Sequence, residues 1–83
     1  MDKVIECFEI VPIGDGLHYL CRDGDGHYFH QHKAESDTSD RLIFESEALA
    51  QDYIDRYLDG AKYRPEYVVY NAKYLPKNII RKV

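Results

Sequence analysis

The chain has no tryptophan, one methionine, two cysteines and three prolines in 83 residues. No apolar run approaches the roughly 18 residues that a membrane-spanning helix needs, so no membrane partner is expected. The opening stretch, MDKVIECFEIVP, lacks the basic-then-apolar layout of a secretory signal, and a cytoplasmic location is expected. Cys7 and Cys21 do not form a C-x-x-C pair, so zinc and dithiol chemistry have no foothold; in a cytoplasmic chain two reduced, half-buried thiols are expected. No Walker loop, no G-x-G-x-x-G after a strand and no G-x-S-x-G occur, which leaves nucleotide and serine-hydrolase chemistry unsupported. Basic residues are scarce outside the last third. Residues 61–83 carry a net +5 and residues 1–60 a net −9, for −4 overall. An acidic body and a basic tail are either two halves that attract each other or two surfaces for two partners.

What the chain does have is apolar and aromatic residue enough for one small core: 45% hydrophobic, with eight Tyr and three Phe. A single domain over residues 1–83 is expected. Its least ambiguous part is a helix over residues 45–60. Ser46 can cap the first turn, and Glu45 and Glu47 set negative charge at the positive end of the dipole. Leu49, Tyr53 and Tyr57 form one apolar row and Ala50, Ile54 and Leu58 the next. Gly60 stands where a left-handed residue ends a helix.

Residues 1–32 read as a three-stranded meander: Val4–Val11, Leu17–Arg22 and His27–His32, separated by Gly14-Asp15-Gly16 and Asp23-Gly24-Asp25-Gly26. With two-residue loop tips, Ile10 faces Tyr19 and Tyr19 faces His30, while Phe8 faces Cys21 and Cys21 faces Tyr28. Phe8, Ile10, Tyr19, Cys21, Tyr28, His30 and His32 then share the face expected under the helix, and Cys7 and Cys21 point opposite ways. A one-residue slip would exchange the faces. Residues 33–44 read as a polar surface loop and an extended lead-in. Residues 61–83 form a basic, tyrosine-rich strand segment centred on Glu66–Leu75 and ended by Pro76. Residues 78–83 are either a last strand or a tail. The fold class is α+β: an antiparallel sheet of the meander plus one or two C-terminal strands, with one helix on one face.

Chemistry is thin. His30 and His32 lie two apart on a strand, so their rings share a face, as two ligands of one metal would. Only Tyr19 and Cys21 accompany them there and no carboxylate does, so no metal and no cofactor is assigned. Asp23-Gly24-Asp25-Gly26 fails as a calcium loop. With Asp23 as position 1, Tyr28 stands where Gly is needed and Ala34 where a bidentate Glu is needed. No nucleophile, base and orienting group converge, so a non-enzymatic protein is expected.

Binding is the remaining reading. Tyr63, Arg64, Tyr67, Tyr70, Lys73 and Tyr74 interleave rings and cations and make one candidate surface; Asp52, Asp55 and Asp59 on the helix make a second. Tyrosines beside cations suit a protein partner. They also suit nucleic acid, which the acidity of the remainder would repel, so nucleic acid ranks second. Homodimerisation is open to the chain if Tyr67–Tyr70 is an edge strand. At Leu42-Ile43-Phe44-Glu45-Ser46-Glu47-Ala48 and on to Tyr53-Ile54, the chain resembles short proteins of bacterial phages and mobile elements. Those place a Phe-x-Ser/Thr step between a small meander and an Ala-rich helix. The resemblance implies a small accessory or regulatory protein that acts by binding, in some cases on host machinery, and it assigns no catalytic residue.

Overall fold

A computed structural model describes residues 3–35, 37–74 and 79–80. The elements run β1 (Val4–Pro12), β2 (His18–Arg22), β3 (Tyr28–His32), β4 (Ile43–Phe44), α1 (Glu47–Tyr57), β5 (Tyr63–Asn71), a 3₁₀ turn (Ala72–Tyr74) and β6 (Ile79–Ile80). The fold is α+β, with one helix packed against strands, as the sequence pattern implies. No described helix is long and apolar enough to cross a membrane.

The strand pairing departs from the expected meander. One sheet has the order β5-β1-β4-β6, and β2 with β3 forms a separate two-stranded sheet. β1 pairs antiparallel with β5 along its whole length, from Val4 opposite Asn71 to Pro12 opposite Tyr63. β2 packs on β1 but forms no ladder with it. The reason lies in the turn after β1. Asp15 N–H bonds Pro12 C=O with Gly14 at φ +83°, and Ile13 N–H is already taken by Lys62 C=O. β1 thus stays with β5 through the residues that a hairpin to β2 would have used. β6 pairs parallel with β4, Ile79 opposite Ile43, so residues 79–80 are a strand. Leu75, Pro76 and Asn78 and the last three residues lie outside the described residues.

The β2–β3 hairpin is slipped by one residue from the expected register. His18 is opposite His32, Leu20 opposite His30 and Cys21 opposite Phe29. The loop has three residues rather than two: Gly26 N–H bonds Asp23 C=O, Gly26 takes φ +85°, and Asp23 N–H bonds His27 C=O. This is a type I turn followed by a left-handed glycine. The slip moves Tyr19 and Cys21 to the face opposite Leu20, His30 and Arg22.

The two sheets are joined by residues 40–44. Arg22 N–H bonds Asp40 C=O, Cys21 bridges Arg41, and Leu42 N–H reaches Leu20 C=O at 3.4 Å. Two residues later Phe44 stands opposite Phe8 of β1. Arg41, Leu42, Ile43 and Phe44 are all buried. Their alternation serves two cores. Leu42 and Phe44 join Ile10, Leu20, Ala50 and Ile54 beneath the helix, with Phe8, Leu49, Tyr53 and Leu58 at the border. Ile43 joins Cys7, Tyr70 and Val68 on the other side of the sheet. β1 is covered on both faces, which is why Cys7, Ile10 and Val11 are all buried.

The helix is shorter than the pattern suggests. Ser46 Oγ accepts from Leu49 N–H at 3.2 Å, so the start is as expected. The end is not a glycine cap. Leu58 is already extended, with φ −126° and ψ 173°, and Asp59 closes the following turn through Ala61 N–H to Oδ1 at 2.9 Å and Lys62 N–H to C=O at 2.9 Å. Gly60 does not have a positive φ. Tyr57, counted in the apolar stripe, is 63% exposed.

Candidate functional site

Three places in the structure carry polar or exposed apolar groups that the fold alone does not account for. The first is buried. Glu9 of β1 points to the side of the sheet away from the helix and has no solvent exposure. Tyr70 Oη, from β5, donates to Glu9 Oε1, and Arg41 Nη1 donates to Tyr70 Oη at 3.0 Å while lying 3.8 Å from Glu9 Oε1. The other Arg41 nitrogens hold Gln31 Oε1 at 3.2 Å, Glu35 C=O at 3.2 Å and His32 C=O at 3.5 Å, and its guanidinium lies 4.3 Å over the Tyr19 ring. Glu9 Oε2 is buried without a partner among the described residues. Burial pushes the Glu9 carboxyl up to about 7, although the Tyr70 hydrogen bond and the Arg41 charge both pull it down. Desolvation of a carboxylate outweighs one bond and one neighbouring cation here. Burial likewise pushes the Cys7 and Cys21 thiols up to about 11, and both are free.

The second place is an open groove of about 430 Å³ lined by Pro12, Asp15, His18, His30, Lys62 and Tyr63. His18 Nδ1 donates to Asp15 Oδ2 at 2.9 Å, and Asp15 Oδ1 also accepts Leu17 N–H at 2.7 Å. His30 Nε2 shares a hydrogen bond with Tyr63 Oη at 2.9 Å, and the two rings stack 5.8 Å apart at 13°. The His18 and His32 rings meet edge-on at 5.3 Å. An aspartate that orients an imidazole is half of a base-and-nucleophile arrangement, but among the described residues the lining includes no serine, threonine or cysteine. The groove offers a cation, ring edges and hydrogen-bonding groups.

The third place is β5. Arg64, Glu66, Val68 and Tyr70 alternate with Tyr63, Pro65, Tyr67 and Val69, so the expected tyrosine surface divides between two faces. Tyr63 and Tyr67 lie on the helix side, where Tyr67 meets Phe8 edge-on at 5.8 Å and donates to Glu6 Oε1 at 2.6 Å. Tyr70 faces the other way and is buried in the Glu9 network, so it is a core residue and not a contact residue. Arg64 and Lys33 both hold Glu66, at 3.1 and 2.8 Å. Lys73 sits in the 3₁₀ turn with Tyr74; the Tyr74 side chain lies outside the described residues. Val4, Tyr67 and Val69 are 62%, 53% and 47% exposed and adjacent in the register, flanking Glu6.

The acidic surface is also divided. Asp52 holds Arg56 at 3.0 Å and Asp55 accepts from Gln51 at 3.0 Å, both one helical turn apart. Asp59 lies beyond the helix and closes the following turn. His30 and His32 share a face as expected, but Tyr19 and Cys21 do not join them; His18 and Leu20 do. Among the described residues the one cluster with three ligand atoms within 4.8 Å is Asp23, Asp25 and His27 at the hairpin tip. There Asp23 Oδ1 already accepts Asp25 and His27 N–H at 2.9 Å.

Sequence reasoning passed over Glu9, Arg41 and Asp15. Their signal was present. Glu9 interrupts an apolar strand, Arg41 opens the uninterrupted Leu42-Ile43-Phe44 run, and a charge inside a strand covered on both faces needs a buried partner. The chain matches no protein-family model, no curated protein and no solved structure.

Proposed function

We propose that this chain is a small non-enzymatic binding protein whose contact surface is the outer edge and exposed face of β5. The observation that carries the reading is the exposed apolar patch of Tyr67 and Val69 on β5, with Val4 of the adjoining β1, at a sheet margin where, among the described residues, β5 has a neighbour on one side only. Margins of this kind take up a strand from a partner, with backbone hydrogen bonds for affinity and alternate side chains for specificity. Tyr67 is the anchor: large, amphipathic and half exposed. The resemblance at Leu42–Ile54 fits an accessory or regulatory role of the kind carried by phages and mobile elements, directed at host machinery in the cytoplasm.

Nucleic acid is the second reading. It rests on the groove, where Lys62 lies beside the stacked His30 and Tyr63 rings, a cation next to a flat surface. One experiment separates the two. Tagged protein is used to capture material from bacterial lysate with and without nuclease, alongside a Val69→Lys variant. Capture of a protein that survives nuclease and is lost in Val69→Lys supports the β5 reading. Capture that vanishes with nuclease and is lost in Lys62→Glu, with Val69→Lys unaffected, moves the function to nucleic acid.

A further inference from the structure

The backbone of β5 has a fixed polarity. Lys62 C=O accepts Ile13 N–H, and Ala72 N–H donates to Lys3 C=O, so both residues turn their peptide groups towards β1. The register between them is unbroken. By strand alternation, the even-numbered residues of β5 face β1, and Tyr63, Pro65, Tyr67, Val69 and Asn71 turn their N–H and C=O outwards. Pro65 can sit in this strand because the N–H it lacks is one that would point away from the sheet. Among the described residues, no backbone group pairs with the outward N–H and C=O of Tyr67 and Val69 or with the N–H of Asn71, whose C=O starts the 3₁₀ turn.

We infer that the strand that adds to this edge is β5 of a second copy of the chain, antiparallel about a two-fold axis through Val68. The inference rests on the reading of the β5 edge as a protein-binding surface, and it names the occupant. Three features favour a second copy. Tyr67, Val68, Val69, Tyr70 and Asn71 carry no charge, so this stretch has no electrostatic complement to offer a charged segment. Sheet margins are commonly guarded by lysine or by inward-pointing charge, and the stretch has neither. The strand is also self-complementary. About Val68, Tyr67 of one copy lies opposite Val69 of the other, joining exposed apolar side chains, and Glu66 lies opposite Tyr70, so no like charges meet. The N–H and C=O of Tyr67 satisfy the C=O and N–H of Val69 in the other copy, twice by symmetry. Pro65 sets this register over one centred on Tyr67. A Tyr67 axis would put Pro65 opposite Val69 and leave the Val69 C=O without a donor in mid-ladder. The Val68 axis moves that gap to the ladder's end, where Pro65 C=O, which among the described residues accepts only Arg64 Nη1 at 3.3 Å, remains open to the Asn71 N–H of the second copy.

The test is sedimentation equilibrium of the full chain from micromolar to millimolar concentration, with Val69→Pro and Val69→Lys variants checked by circular dichroism. Val69→Pro deletes an outward N–H and leaves the β1 ladder intact; Val69→Lys sets a cation at the centre of the contact and covers the case in which the proline variant does not fold. The expected result is a wild-type dimer whose dissociation constant rises about tenfold or more in each folded variant. Isotope-filtered spectra of a mixed-label sample should show Tyr67 ring protons of one copy near Val69 methyls of the other. A wild-type chain that is monomeric at millimolar concentration, or a dimer indifferent to both variants, overturns the inference. If a monomeric wild type still captures a protein that Val69→Lys loses, the occupant is wrong and the binding edge stands. If Val69→Lys changes neither dimerisation nor capture, both fail.

Discussion

Glu9 should make the stability of this protein fall as pH rises through the weakly acidic range. The carboxyl is without solvent exposure, one of its oxygens has no partner among the described residues, and its pKa in the fold is about 7 against an ordinary 4.5. The folded state therefore holds this proton more tightly than the unfolded state does. Below pH 4.5 both states are protonated and the contribution is complete. Between 4.5 and 7 the unfolded chain ionises first, and stability declines; above 7 both are ionised and the decline stops. Each tenfold difference in proton affinity between the two states is worth about 1.4 kcal/mol, so the whole span amounts to about 3 kcal/mol. Glu9→Gln supplies the control, because the amide keeps an acceptor for Tyr70 and cannot ionise. Urea denaturation followed by circular dichroism should be run on both proteins from pH 4 to pH 8. The difference in unfolding free energy between them should change by about 3 kcal/mol across that range in favour of Glu9→Gln at high pH. Taking the difference removes the aspartates at positions 15, 23 and 37. Their pKa values are lowered by hydrogen bonds, and they lose stability at lower pH in the opposite sense. Parallel pH profiles for the two proteins would refute the reasoning: Glu9 would then be ionised or solvated like a surface carboxylate.

Other perturbations follow from single contacts. Arg41→Met removes the cation that bridges Tyr70, Gln31 and the carbonyls of His32 and Glu35, and should cost about 3–5 kcal/mol at pH 8, where an ionised Glu9 keeps the Tyr70 hydrogen bond but loses its buried cation, and clearly less at pH 5, as read by the same denaturation series. Ser46→Ala deletes the acceptor for Leu49 N–H and should cost about 1 kcal/mol, a loss that Ser46→Asp restores. Gly26→Ala places a Cβ 3.1 Å from the Arg22 side chain at φ +85° and should lower the thermal midpoint by an amount corresponding to about 1 kcal/mol or more, whereas Gly24→Ala, with open space around it, should be close to neutral.

The helix was legible because its periodicity, cap and neighbours agree. The strands were legible as strands because β-branched and aromatic residues cluster between Gly-Asp turns. Which strand pairs with which was not. Sequence proximity favours local hairpins, but β1 is apolar on both faces and needs a partner along its full length, and the nine residues of β5 fit it where the five of β2 do not. The hairpin register turned on whether Gly24 or Gly26 becomes the left-handed residue of Asp-Gly-Asp-Gly, a choice the letters leave open; Asp23, by accepting Asp25 and His27 N–H, takes the three-residue loop. The tyrosine surface was half legible. Counting Tyr63, Tyr67 and Tyr70 together ignored the alternation that sends Tyr70 inward, and that inward turn is inseparable from Glu9 and Arg41, which no local pattern pairs.

The pairing of Val4 with Asn71 and of Pro12 with Tyr63 ties β1 to a strand far downstream of it. During synthesis β1 leaves the ribosome with both faces apolar and must wait for most of the chain before its main partner exists. Only the β2–β3 hairpin and the helix can form from neighbouring residues, and neither lies beside β1 in its sheet. Contacts at such separation are made slowly, and the unpaired strand is exposed to proteases and to other chains meanwhile. Completion of the larger sheet therefore waits on β5. A chain cut between α1 and β5 keeps its helix-forming sequence and its β2–β3 hairpin, but β1 loses the strand that pairs with its full length.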